Sequence, residues 1–289
     1  MITNRMKKIT ILLLLTMLPL LSACDKEYNA ERLYWQADRA SVNILNDPKQ
    51  TPSFQYETAI AAFRNIIKKY PDSKKAGEAQ LKLGQLYMAW EKFPEAVGEF
   101  EKIPQTYRYD IGLKAKAQLS IGKCYEQAGD WSRALAVYRK VFADYQNVSL
   151  SIDIPLHIAQ YYQNHSQITA ADDAFRQAIK DYQKIIKRYP KSQISYICQD
   201  YIALCYVNLK DWYAAIKALE KLRADYPSSP KAAQALFSIG TIYDAKLDKR
   251  HEAIDSYQKF LKEYRNDNLA GTVKKILETL QETEKINKH

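Results

Sequence analysis

Six times along this 289-residue chain an alanine is followed by a large apolar residue at +4, an apolar one at +7 and tyrosine at +11. The copies begin at Ala59, Ala96, Ala134, Ala178, Ala215 and Ala253. Their +4 residues are Phe63, Phe100, Tyr138, Tyr182, Leu219 and Tyr257, and their +7 residues are Ile66, Ile103, Val141, Ile185, Leu222 and Phe260. The +11 position is always tyrosine: Tyr70, Tyr107, Tyr145, Tyr189, Tyr226 and Tyr264. Offsets of 0, 4, 7 and 11 share one face of an α-helix, here named helix B. Recurrence at this period points to stacked units, none of which can bury its apolar face alone.

A second pattern lies between the copies: a small or apolar residue, Leu or Ile at +4, a very small residue at +5 and tyrosine at +8. It reads Ala79-Leu83-Gly84-Tyr87, Ala117-Ile121-Gly122-Tyr125, Ile154-Ile158-Ala159-Tyr162, Cys198-Ile202-Ala203-Tyr206 and Ala235-Ile239-Gly240-Tyr243. This is helix A. Glycine inside a helix costs up to about 1 kcal/mol, and its recurrence at +5 implies close approach of helix B. Only 8 glycines stand against 22 tyrosines. That balance disfavours turn-dense β-structure and glycine-cradled nucleotide sites, and assigning the 14 repeat tyrosines to the core leaves few for stacking on sugars or bases.

The alternation of small-x3-large-Gly-x2-Tyr with Ala-x3-aromatic resembles the tetratricopeptide repeat, over roughly residues 54–267. The resemblance implies an all-α, right-handed superhelical solenoid of about six helix pairs. Anchor spacings of 37, 38, 44, 37 and 38 exceed the common 34. The excess lies in linkers such as Tyr70-Pro71-Asp72-Ser73 and Tyr189-Pro190-Lys191-Ser192, where proline is expected to stop helix B and Ser or Asp to cap the next helix. Long-linker repeats are similar to those of BamD-type outer-membrane assembly lipoproteins and of the YbgF-type proteins of the Tol-Pal system.

The interval of 44 carries seven extra residues between Tyr162 and Ala178, two helical turns. Thr169 and Asp172 resemble a capping box, so the fourth helix B is expected to begin about two turns early and project past its neighbours. Upstream, Leu33, Tyr34 and Ala37 read as a first helix A. Downstream, residues 268–289 read as a capping helix, with Val273, Ile276, Leu277 and Leu280 at helical spacing, and a charged tail.

Residues 1–23 read as a lipoprotein signal peptide and 24–53 as the lipidated N-terminus with the first helix. Arg5, Lys7 and Lys8 precede an apolar run from Ile9 to Leu21, too short to span a bilayer. Leu21-Ser22-Ala23-Cys24 resembles a bacterial lipobox, which implies cleavage before Cys24 and its acylation. The expected location is the periplasmic side of a Gram-negative membrane. The outer membrane is favoured, although Asp25 after the cysteine resembles an inner-membrane retention signal. Loss of the three leader cations lowers the net charge from +10 to +7, a mild excess, and with export it argues against nucleic-acid partners. Cys124, Cys198 and Cys205 read as buried free thiols; residues 198 and 205 are about 10 Å apart along one helix, too far to bridge.

Nothing in the sequence indicates catalysis, a metal or a cofactor. His157, His165, His251 and His289 are scattered, and no nucleophile elbow or phosphate loop is present. The family resemblance instead implies that helix A lines a peptide-binding groove. The corresponding residues are Gln85, Met88, Lys123, Gln127, Gln160, Gln163, Asn164, Leu204, Asn208, Thr241 and Asp244. The expected function is a non-catalytic scaffold for other envelope proteins, BamD-like and engaging a β-barrel assembly protein, with no small-molecule substrate. The alternative is an inner-membrane accessory lipoprotein for polysaccharide or protein export or for regulation of peptidoglycan synthesis and division.

Overall fold

The computed structural model describes residues 25–107, 110–146 and 148–286, and among them all regular structure is helical. The helices are α1 (25–46), α2 (Ser53–Lys69), α3 (Lys74–Ala89), α4 (Phe93–Thr106), α5 (Ile111–Gln127), α6 (Trp131–Asp144), α7 (Ser149–Ile152), α8 (Ile154–Asn164), α9 (Ile168–Arg188), α10 (Gln193–Asn208), α11 (Trp212–Asp225), α12 (Ala232–Ala245), α13 (Arg250–Glu263) and α14 (Ala270–Ile286). The chain divides after residue 148 into two compact units. Each is a helical solenoid segment in which every helix packs on the next in sequence. Helices α1, α3, α5, α8, α10 and α12 are the A members; α2, α4, α6, α9, α11 and α13 are the B members. In the second unit α14 covers α13 with Val273, Leu277 and Leu280, as the sequence led us to expect.

The core is built from the +4 residue of helix B set over the small residue of helix A. Phe63, Phe100, Tyr138, Tyr182 and Tyr257 are buried. A Cβ on Gly122 would lie 2.5 Å from Tyr138 Cε1, and one on Gly240 would lie 2.6 Å from Tyr257 Cε1; Gly84 is covered by the Phe100 ring in the same way. Where helix B offers the smaller Leu219, the matching residue of α10 is Ala203. Buried amides tie the pairs further. Gln80 Nε2 donates to the Glu99 carbonyl at 3.2 Å and Gln199 Nε2 to the Ala218 carbonyl at 2.9 Å, the same place in two repeats.

From α3 onward, each turn from helix A to helix B closes on the helix A tyrosine. The carbonyls of Tyr87, Tyr125, Tyr162 and Tyr206 accept from the N–H five residues on at 2.8–2.9 Å, while the residue before that donor bonds three residues back at 3.0 Å. This Schellman pairing requires a left-handed residue. Glu91, Gly129, Ser166 and Lys210 supply it, with φ of 60, 80, 58 and 58°. A side chain there costs about 1 kcal/mol. Lys210→Gly should therefore raise the thermal midpoint and Gly129→Ala lower it, each by about 0.5–1 kcal/mol in stability; equal melts followed by circular dichroism would refute this.

The +11 tyrosine does not sit in the core, as periodicity had implied. It is the half-buried C-cap of helix B in all six repeats. Its N–H donates to the +7 carbonyl at 2.7–3.0 Å, and its own carbonyl accepts from the residue three further on. Proline follows in only three of the six, yet the helix ends at the same place; the turn, not the proline, stops it. The expected caps follow, with Ser73, Asp110 and Ser192 accepting from Lys75, Leu113 and Ser195 N–H groups. The helix A tyrosines beyond Tyr87 are likewise half-buried.

Helix α9 has 21 residues where α4, α6, α11 and α13 have 14, so the two extra turns are helical and not a looped insertion. The capping box is not formed. Gln167 is the N-cap, without a side-chain bond, and Thr169 lies inside the helix. Counted from the turn, the anchor alanine is Ala171; counted back from Tyr189 it is Ala178. Both are buried. Because α8 keeps the register of the turn and α10 that of Tyr189, the whole α8–α9 tip, not α9 alone, stands about two helical turns past the end of α10. Residues 163–169 are all exposed there.

Candidate functional site

The residues expected to line a groove lie on α3, α5, α8, α10 and α12, and none is buried. Gln85, Met88, Lys123 and Gln127 belong to the first unit, the other seven to the second. Two contacts between successive A helices fix which faces adjoin. Lys82 Nζ meets Asp38 Oδ1 at 2.8 Å, joining α3 to α1 one turn before Gln85. Tyr201 Oη donates to Asp153 Oδ1 at 2.6 Å, joining α10 to the start of α8 one turn before Leu204. Gln160 lies two turns past Asp153, so the amide and Leu204 share one open face.

Some of these polar groups are already engaged. The Asn208 amide donates to the Leu204 carbonyl of its own helix at 2.9 Å. Thr241 Oγ1 donates to the Phe237 carbonyl at 3.1 Å and lies 3.4 Å from Tyr257 Oη, which makes it a scaffold contact.

In the first unit Met88 and Gln127 meet at a depression of about 770 Å³ with Pro48, Tyr56, Trp90 and Phe93. The Trp90 indole stacks on Tyr56 at 5.0 Å with ring planes 7° apart, and Lys92 Nζ sits 3.5 Å from the Trp90 ring centroid. Tyr56 is locked in place by donating to the Pro48 carbonyl at 2.9 Å. Periodicity had missed Trp90 because it lies in the α3–α4 turn, outside the helix pattern; an aromatic residue three positions after Tyr87 was its only signal. On α4 Glu99 is a charged hub, accepting from Gln80 Nε2 at 2.6 Å and pairing with Lys102 at 2.6 Å.

Cys124, Cys198 and Cys205 are free and buried, and burial pushes each thiol up to about 12. Burial likewise raises the Tyr138 and Tyr182 hydroxyls above the usual tyrosine range. Among the described residues no three His, Cys, Asp or Glu side chains are grouped to hold a metal, and no helix is long and apolar enough to cross a membrane. Cys24 and the apolar run before it lie outside the described residues.

The tetratricopeptide repeat family model matches residues 52–73, 116–147, 156–192, 198–229 and 234–267, together more than half of the chain. No curated protein matches. Among solved structures, a tetratricopeptide repeat protein from Parabacteroides merdae is 14% identical, with 86% of this chain and 99% of that one covered and a TM-score of 0.36. MamA from Desulfovibrio magneticus, residues 41 to the end, is 14% identical, with coverage of 66% and 97% and a TM-score of 0.41.

Proposed function

Because the chain belongs to the tetratricopeptide repeat family, whose helix pairs serve as protein-binding scaffolds, we propose that it is a non-catalytic scaffold of the bacterial envelope, tethered through acylated Cys24 at the periplasmic side of the membrane. The carrying observation is the solvent-open, amide-bearing face of the A helices. Open amides pair with peptide backbone, which suits segments of other proteins. The long linkers and the lipobox support a BamD-like place in outer-membrane β-barrel assembly. Asp25 supports a second reading, an accessory lipoprotein of the inner membrane serving export or wall synthesis.

The deciding experiment is in-cell crosslinking of the tagged chain, followed by mass spectrometry of separated inner and outer membranes. A β-barrel assembly protein recovered with the outer membrane supports the first reading; export or wall-synthesis proteins recovered with the inner membrane overturn it in favour of the second. Cys24→Ser should shift the chain from the membrane to the soluble fraction. Retention in the membrane would refute the anchor.

A further inference from the structure

In the second unit a groove of about 420 Å³ lies between α9 and α11, with α10 as its floor. Lys187, Lys217 and Lys221 line it beside Ile186, Ile202 and Tyr206, and no acid does. Lys187 and Lys217 are exposed and have no ion-pair partner among the described residues. This side of α10 is opposite to Leu204, since two residues along a helix turn by about 200°.

The same place in the first unit holds its own acid. Glu99, three residues past the anchor Ala96 of α4, is buried; it accepts from Gln80 Nε2, pairs with Lys102 at 2.6 Å and lies 3.9 Å from Arg64 Nη2. Helix α9 keeps the same acid and lysine, with Asp181 and Lys184 paired at 3.0 Å. Counted from the repeat anchors, Gln199 matches Gln80 and Lys221 matches Lys102, but Ala218 stands in place of Glu99 and Lys217 in place of Gly98. Lys221, without that acid, reaches Asp225 of its own helix at 2.5 Å. The Gln199 amide donates to the Ala218 carbonyl at 2.9 Å. The α10–α11 pair therefore keeps the frame that holds a carboxylate, adds a cation, and lacks the carboxylate.

We propose that this groove binds an acidic segment of a partner protein, whose carboxylate sits by Ala218 where Glu99 sits in the first unit. Three ammonium groups with no acid between them draw in negative charge. The apolar floor of Ile186 and Ile202 decides its kind. It takes aliphatic side chains set between the acids of a polypeptide, whereas a bare phosphate polymer would lay charge against it. Ion pairs at a solvent-open rim add little each, so the binding is weak and falls with salt. The inference rests on the reading of the chain as a protein-binding scaffold, but it uses neither the A-helix face nor the anchor.

The test is fluorescence anisotropy of the full chain in mild detergent with a labelled peptide of about twelve residues repeating Leu-Glu-Glu, beside its Leu-Gln-Gln counterpart. At low salt the acidic peptide should bind with a dissociation constant on the order of 10–100 µM, and the amide peptide at least about tenfold more weakly. Lys217→Glu should weaken the acidic peptide about fivefold or more. Ala218→Glu, which restores the acid from within, should weaken it at least about tenfold. Lys140→Glu, the same change of charge on exposed α6, should leave it within about twofold. Lys217 is exposed as well, so its variant should keep the wild-type circular dichroism and melt, and it carries the test if Ala218→Glu does not fold. No binding of the acidic peptide overturns the proposal. So does equal binding of both peptides, an equal loss with Lys140→Glu, or a preference for anionic phospholipid vesicles that Lys217→Glu abolishes. If in-cell crosslinking recovers protein partners while the peptide does not bind, this groove is wrong and the scaffold reading stands; if it recovers none, that reading itself fails.

Discussion

Tyr182→Ala is expected to destabilise the chain by about 3–5 kcal/mol, the largest loss for any single side chain described here. The ring is fully buried in the middle of α9. Its hydroxyl donates to the Ile152 carbonyl at 2.9 Å and accepts from the Leu156 N–H at 3.2 Å, bridging the break between α7 and α8. Truncation therefore opens a cavity and strands two backbone groups. Tyr182→Phe keeps the ring and loses only the bridge, for about 1–3 kcal/mol. Urea titration followed at 222 nm separates the two effects. An alanine variant within about 1 kcal/mol of wild type would mean that the α7–α8 break is held by something else.

The second large effect is at Gly84. An alanine there must push the Phe100 ring, and we expect a loss of about 2–3 kcal/mol. In the α10–α11 pair of the same chain, an alanine, Ala203, stands opposite a helix B that carries the smaller Leu219. Phe100→Leu alone should also destabilise, by about 1–2 kcal/mol, through an underfilled core. Together the two substitutions should cost clearly less than the sum of their separate losses. Strict additivity in the double-mutant cycle would show that the two residues do not share the contact.

What could be read from the sequence was whatever the repeat period carries. Helix pairs, the glycine-under-aromatic contact, the capping helix and the buried thiols all follow from residues three, four or seven apart. The errors share a cause as well. A period gives a face of a helix but not where the helix stops, so Tyr70 and its five equivalents were placed in the core when each is the cap that ends helix B. Seven residues are two whole turns, so the period could not tell Ala171 from Ala178. Thr169 and Asp172 had a capping spelling, but the left-handed Ser166 had already set the start of α9 two residues upstream of the helix they would have opened. The residues proposed to line a groove lie on helix A faces that are not buried. The sequence pattern did not find Trp90, whose position is set by a turn and whose role comes from stacking on a residue of another helix.

The tyrosine-centred turns also bear on how the chain comes apart. Among the described residues the turns from α3 to α4, α5 to α6, α8 to α9, α10 to α11 and α12 to α13 are closed by backbone bonds reaching no more than six residues, so each can form or open without waiting for distant segments. Pulling on such a chain would not meet one large barrier. It would release one helix pair at a time from a free end, in steps of roughly equal length, and each released pair could refold while its neighbour stayed in place to receive it.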